Sequence, residues 1–194
     1  MHYLFLDTTN GLTIGLLNQD LHWLSFEKRA EKKPSEVVHT LINEQLLKFN
    51  LKITEITLIT IAGPGSYTGM RLSEGIAQMF KVCGIKILSF FHFEVPFFVG
   101  VDTGKWIAPA FKGEYFIYSW QNRKTEKKLV RETELQIPNQ FYSNQDFIND
   151  QQIINTTDLI QQNPTKVFAA VLERNEFHPA YYFRSLEEEF KQND

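Results

Sequence analysis

The sequence predicts an α/β fold, with a complete first lobe over residues 1–100 and a thinner second lobe over residues 101–194. Three observations carry this. An apolar run from Tyr3 to Leu6 ends at Asp7-Thr8-Thr9-Asn10-Gly11 and resumes from Leu12 to Leu17, the pattern of a hairpin. The run Ile56 to Ile61 is rich in β-branched residues, as expected of a strand covered on both faces. The segment Gly63 to Gly69 then joins that run to a helical pattern and a further strand, completing a strand–helix–strand unit.

In chain order, Leu21 to Glu27 alternates apolar and polar positions and reads as a third strand. The charged run Lys28 to Lys33 reads as an exposed loop, and Pro34-Ser35 starts a helix. From Ser35 to Phe49 the residues Val37, Val38, Leu41, Ile42, Leu46 and Phe49 recur at helical spacing and cover roughly half of the circumference. One sheet contact rarely needs that much. The helix after Gly69 is expected to run to about Cys83, followed by a strand from Ile85 to Phe90. Beyond Gly100, Trp106 to Ala110, Tyr115 to Trp120 and Lys128 to Leu135 read as short strands, with a basic turn from Arg123 to Lys128. Gln151 to Gln162 is ambiguous, Pro164 to Arg174 fits either a strand or a helix, and Leu186 to Asp194 reads as a frayed acidic tail.

A chain of 194 residues can bury a core without covalent staples. Cys83 is the single cysteine, which excludes a disulfide framework or a cysteine-based metal cluster within the chain and fits a reducing compartment. No basic segment precedes the apolar start, so no signal peptide is expected. The stretch Phe90 to Phe98 is broken by His92, Glu94 and Pro96 and falls short of the roughly 20 residues of a membrane span. These features predict a soluble, cytoplasmic protein with no membrane partner. The formal charge of −3, from 20 basic and 23 acidic residues, gives no electrostatic footprint for a phosphate backbone.

Pro64 fixes φ between two glycines that admit angles closed to other residues, so the strand can turn sharply into a helix. Ser66 and Thr68 are both suitable N-caps. Such a helix start presents amides to an anion or serves simply as a rigid elbow; no lysine accompanies the glycines. In the helix that follows, the small residues Gly69, Ser73, Gly75 and Ala77 accompany Leu72, Ile76, Met79 and Phe80, and small side chains let another helix approach closely. An interior glycine costs roughly 1 kcal/mol relative to alanine, which implies a packing reason for Gly75.

Three segments in the same order resemble the TsaB family, also called YeaZ. Leu4-Phe5-Leu6-Asp7-Thr8-Thr9 is similar to the family's opening strand and turn. Gly63-Pro64-Gly65-Ser66-Tyr67-Thr68-Gly69-Met70-Arg71 is similar to the family signature almost letter for letter, and Pro179-Ala180-Tyr181-Tyr182-Phe183-Arg184 to its closing motif. The resemblance implies an actin-like (ribonuclease H-like) ATPase-type fold. It also implies a scaffold subunit, itself without an active site, that joins a TsaD-like catalytic partner in placing threonylcarbamoyl on adenosine 37 of tRNA. The family pairs through two helices, with itself or with TsaD. On that basis Val38, Leu41, Ile42, Leu46, Gly69, Leu72, Ser73, Ile76, Ala77 and Phe80 are the expected interface residues, for a homodimer or for the TsaD-like partner. No cofactor is expected on the chain alone, with ATP or ADP at the complex interface, a TsaE-like ATPase reached through the complex, and tRNA only indirectly. Asp7, Thr8, Gly65 and Ser66 are the candidate nucleotide contacts, Asp7 standing where actin-like enzymes keep a carboxylate near metal and phosphates. The competing reading of Asp7 is a local Asx-type turn.

The sequence also departs from related enzymes. TsaD-like enzymes bind metal through two histidines four apart; here His92 fills the first position and Pro96, which has no donor atom, the second. A lone imidazole cannot rebuild that site, so no metal is expected and His92 reads as partly buried or interfacial. Asp102-Thr103-Gly104 spells the aspartic-protease triplet, but that mechanism needs two such carboxylates, and a loop is the expected reading. Cys83 has no evident base partner for nucleophilic chemistry. The second lobe is short, and the helix expected between His92 and Trp106 is compressed. The rival to a scaffold is an active enzyme of the same fold, either a small-molecule kinase or a glycopeptidase-like metalloenzyme.

Overall fold

The computed structural model describes residues 1–110, 113–122, 124–136, 138, 140–145, 147 and 153–183. Its first sheet contains β1 (His2–Asp7), β2 (Leu12–Leu17), β3 (Trp23–Arg29), β4 (Ile56–Ile61) and β5 (Ile87–Phe90), in the order β3-β2-β1-β4-β5. The expected hairpin is present, with Leu6 opposite Ile14 and β3 extending it antiparallel. β1, β4 and β5 run parallel, so every residue of β4 is buried, as its unbroken apolar text requires.

One face of this sheet is covered by α1 (Pro34–Lys48) and α2 (Tyr67–Val82), whose Val38, Leu41, Ile42, Leu46, Ile76, Ala77 and Phe80 pack on Leu4, Leu6, Ile14, Leu16 and Leu58. The opposite face meets the short α3 (Val95–Phe98), α4 (Thr156–Gln162) and α5 (Pro164–Arg174). There Ile160, Val167, Phe168 and Val171 pack on Phe5, Ile59, Ile61 and Phe90. Each such side chain stabilises the fold by about 1.5–3 kcal/mol relative to exposure.

The second sheet has the order β10-β9-β6-β7-β8, from β6 (Thr103–Pro109), β7 (Glu114–Gln121), β8 (Lys124–Arg131), β9 (Phe141–Ser143) and β10 (Ile153–Asn155). One face carries Trp106, Phe116, Tyr118 and Trp120 against Phe93, and the other carries Ile107 and Ile117 against Phe141. The division at residue 100 is crossed by the chain itself, because α4 and α5 return from the second half to cover the first sheet.

Two local expectations are revised and one open alternative is settled. β8 begins at Lys124, so most of the expected basic turn is strand, and the reversal centres on Asn122 at φ 48°. Lysines suit this position because β8 is an exposed sheet edge. Thr103 and Gly104 of the Asp-Thr-Gly triplet open β6, where Gly104 lies beneath the Trp120 ring. The ambiguous tract ends in β10 and α4, and residues 164–174 form a helix. The acidic tail lies outside the described residues. Among the described residues no helix is long and apolar enough to cross a membrane.

Candidate functional site

The helix pair comes first, because its orientation differs from expectation. Val38, Leu41, Ile42, Leu46, Ser73, Ile76, Ala77 and Phe80 are all buried inside the monomer. The apolar members pack on their own sheet, although Ile42, Leu46 and Phe80 also form the floor of a hollow between α1 and α2. Gly69 is inward too: a Cβ there would lie 1.8 Å from the Thr8 carbonyl oxygen, so glycine is required for α2 to sit on the turn after β1. Leu72 is partly buried against the same core. The wide apolar stripes are therefore satisfied by the chain's own sheet.

A different apolar set faces outward. Leu47 is 70 % exposed, Met79 48 % and Val82 89 %, with Ile53 beside them at 39 %. Leu47, Ile53 and Met79 rim a hollow of about 490 Å³ between α1 and α2, together with His39, Asn43 and Lys52. Gly75 lies on the exposed side of α2, and a Cβ there would meet nothing within 4 Å. Its small size serves no contact inside the monomer. Cys83 caps this helix and is exposed.

The second cluster lies where the two lobes meet. The elbow is ordered as its residues dictate: Ser66 caps α2, its Oγ accepting from the Gly69 amide at 3.4 Å, and Gly63 holds φ 108°. The Ser66 amide donates to the Thr9 carbonyl at 2.8 Å, and the His92 amide to the Gly63 carbonyl at 2.9 Å. The ends of β1, β4 and β5 are thus tied together around one point.

At that point Asp7 is 3 % exposed and His92 fully buried. Thr9 donates twice to Asp7 Oδ1, from its amide at 2.8 Å and from its hydroxyl at 2.6 Å. His92 Nε2 lies 2.8 Å from Thr9 Oγ1 and 3.1 Å from Asp7 Oδ2. With the Thr9 hydrogen directed at Asp7, Nε2 must carry the hydrogen that both oxygens accept. Asn144 Nδ2, just beyond β9, donates to the remaining side of Thr9 Oγ1 at 3.1 Å. On the other nitrogen, Thr156 Oγ1 lies 3.1 Å from His92 Nδ1 and 3.2 Å from the Ser143 carbonyl oxygen. A neutral imidazole takes the Thr156 hydrogen; an imidazolium donates instead and turns that hydrogen to Ser143. Burial pushes the Asp7 carboxyl up, but His92 and the two Thr9 donors outweigh it, and the group sits below its ordinary 3.8.

This arrangement corrects two expectations. Asp7 and Thr8 are not placed to hold a nucleotide: the carboxylate is closed in by Thr9 and His92, and the Thr8 hydroxyl donates to the Gly69 carbonyl at 2.6 Å. His92 is wholly internal rather than interfacial. The trio is not a nucleophilic triad either. In such a triad the imidazole separates hydroxyl from carboxylate through its two nitrogens, whereas here one nitrogen faces both. Gly65 and Ser66 do line a cleft of about 410 Å³ between the lobes, with Thr9, Met70, Leu129, Tyr182 and Phe183. Pro96 sits in α3 without a donor, and among the described residues no three His, Cys, Asp or Glu side chains gather to hold a metal ion. Asn144 and Thr156 went unrecognised in the sequence; the Asp-Thr-Thr turn was the one local sign of the cluster.

No protein family and no curated protein matches the sequence. Solved structures do. A Pseudomonas aeruginosa protein described as uncharacterised, with similarity to peptidase YeaZ, superposes with a TM-score of 0.65, covering 94 % of this chain and 99 % of that one at 14 % identity. YeaZ from Pseudomonas aeruginosa gives 0.63, covering 93 % and 99 %, again at 14 % identity. This chain has a YeaZ-like fold. The YeaZ-like architecture is α/β, with one five-stranded sheet in each lobe. Its two lobes meet at the Asp7–His92 joint, and the outward faces of α1 and α2 lie on the far side of the first sheet from α5.

Proposed function

We propose that this chain is a docking subunit without a catalytic centre of its own, joining a TsaD-like catalytic subunit in threonylcarbamoylation of adenosine 37 in tRNA. The observation that carries this reading is the gathering of the exposed Leu47, Ile53 and Met79 around one hollow between α1 and α2, with the exposed Val82 one turn beyond Met79. Single exposed apolar residues are ordinary, but a contiguous patch marks an interaction site. Gly75 supports the same reading, since a glycine without contacts in an exposed helix weakens the monomer and permits close approach of another helix. The partner's helices complete a four-helix packing over this face. A second copy of the chain uses it when the partner is absent, as an isologous pair. ATP or ADP binds where the two proteins meet, a TsaE-like ATPase joins through the complex, and tRNA is held by the other subunits.

The test is reconstitution. Purified TsaD-like subunit, the TsaE-like ATPase and tRNA are assayed for the modified nucleoside with and without this chain, and modification is expected only when it is present. The isolated chain is assayed in parallel for ATP turnover and bound metal. Modification without the chain removes the role, and robust turnover or stoichiometric metal on the chain alone establishes the rival, an enzyme of the same fold.

A further inference from the structure

Residues 176–183 have no regular secondary structure, yet they touch both lobes. On the first lobe the segment is held by ring contacts of His178 and Tyr181 with Phe91 and of Tyr181 with Phe93, and in addition by hydrogen bonds of its backbone. The Ser89 amide donates to the Glu176 carbonyl at 3.0 Å, the His178 amide to Ser89 Oγ at 2.7 Å, and the Tyr181 amide to the Ala62 carbonyl at 2.7 Å. On the second lobe the contacts are side chains alone. Tyr181 packs edge-on to Phe116 at 5.7 Å between ring centres, and Phe183 lies 4.9 Å from the same ring. Lys127 of β8 places its ammonium 4.7 Å from the Tyr181 ring centre, 4.9 Å from Phe93 and 5.8 Å from Tyr118. The next residue, Tyr182, lies tilted against Tyr67 at 5.3 Å between ring centres, and Tyr182 and Phe183 form one wall of the interlobe cleft.

We propose that residues 176–183 are a strap that narrows the interlobe cleft and that Lys127 is its catch. The asymmetry of the attachments carries this. Hydrogen bonds as well as ring contacts fix the strap to the first lobe, whereas among the described residues the second lobe holds it through ring contacts and the Lys127 cation alone. Contacts of the second kind at exposed positions are individually weak, so this end releases while the other stays. Release swings Tyr182 and Phe183 away from Met70 and Leu129 and widens the cleft, whose Asn10, Ser66 and Tyr67 already face solvent. The three strap anchors on Ser89 and Ala62 remain as the hinge.

The experiment reads cleft access in the full chain. Cys83, which is exposed, is changed to serine, and Ala110 on the cleft wall is changed to cysteine. The rate at which a bulky maleimide labels this thiol is then compared in three backgrounds: otherwise unchanged, Lys127→Gln and Tyr181→Ala. Amide exchange of β1 and β4 is followed in each sample. Labelling at least about tenfold faster in both variants, with protection of β1 and β4 retained, is the expected result. Unchanged labelling overturns the proposal. Loss of β1 and β4 protection overturns it as well, since the segment is then part of the core rather than a releasable strap.

Discussion

The outward side of α1 and α2 and the joint between the lobes invert the usual placement of side chains in opposite senses. At the helices, Leu47, Met79 and Val82 stand in solvent although each could have been polar at no cost to the fold. At the joint, Asp7, Thr9, His92, Asn144 and Thr156 are buried although each loses hydration there. The first arrangement has no explanation inside the monomer, and the second is explained entirely inside it. A surface that gains nothing from its own apolar atoms is what the proposed docking role rests on. A polar cluster whose donors and acceptors meet one another, with the buried Asn144 Oδ1 as the exception, serves the molecule that contains it, here by holding two lobes in one relation.

The sharpest way to break this contrast is His92→Ala. It leaves the Asp7 carboxylate buried beside Thr9 alone, and removing one member of a buried pair costs about 3–5 kcal/mol. Denaturant unfolding should show a loss of that order, and a change of less than about 1 kcal/mol would place the joint among ordinary surface contacts. On the helix side, Gly75→Trp should leave the unfolding curve of the monomer nearly unchanged while abolishing co-elution with a TsaD-like subunit. Ile76 is no substitute, because it is buried, and a charge there unfolds the monomer.

A pH titration sharpens the same comparison. The native Asp7 carboxyl sits below 3.8, its ordinary value, so the folded state holds its proton less tightly than the unfolded chain. The stability this gives is complete above about pH 4 and is lost as acid carries the solution down through the lowered native value. Asp7→Asn should therefore flatten the acid limb of stability, whereas substitutions at Leu47 or Val82 should leave that limb in place. The smallest effect is expected from Gly75→Ala. With no atom within 4 Å of the new Cβ, the isolated monomer should gain about 0.5–1 kcal/mol, measured by its thermal midpoint.

The fold was largely legible because its signals are local. The Tyr3–Leu6 and Leu12–Leu17 runs, the unalternating Ile56–Ile61 and the Gly63–Gly69 elbow each specify their element from within a few residues. The orientation of α1 and α2 was not legible from the stripe itself. Val38, Leu41, Ile42 and Leu46 record that some apolar surface covers them, and both a sheet and a partner meet that description. The informative residues were those off the stripe, Leu47 and Val82, which periodicity discards as noise. The joint was legible only at Asp7-Thr8-Thr9, since His92, Asn144 and Thr156 reach it across separations of 83 and 135 residues from Thr9 and 64 from His92. β8 was misread because Lys124, Lys127 and Lys128 suit an exposed strand edge as well as a turn.

The most direct test of the docking claim is calorimetric titration of the TsaD-like subunit with the unchanged chain and with the double variant Leu47→Glu, Val82→Glu. Two well-placed contacts of this kind carry roughly 1–2 kcal/mol each, so binding should weaken by about a hundredfold while the melting curve stays where it was. Equal affinity of the two proteins would contradict the account.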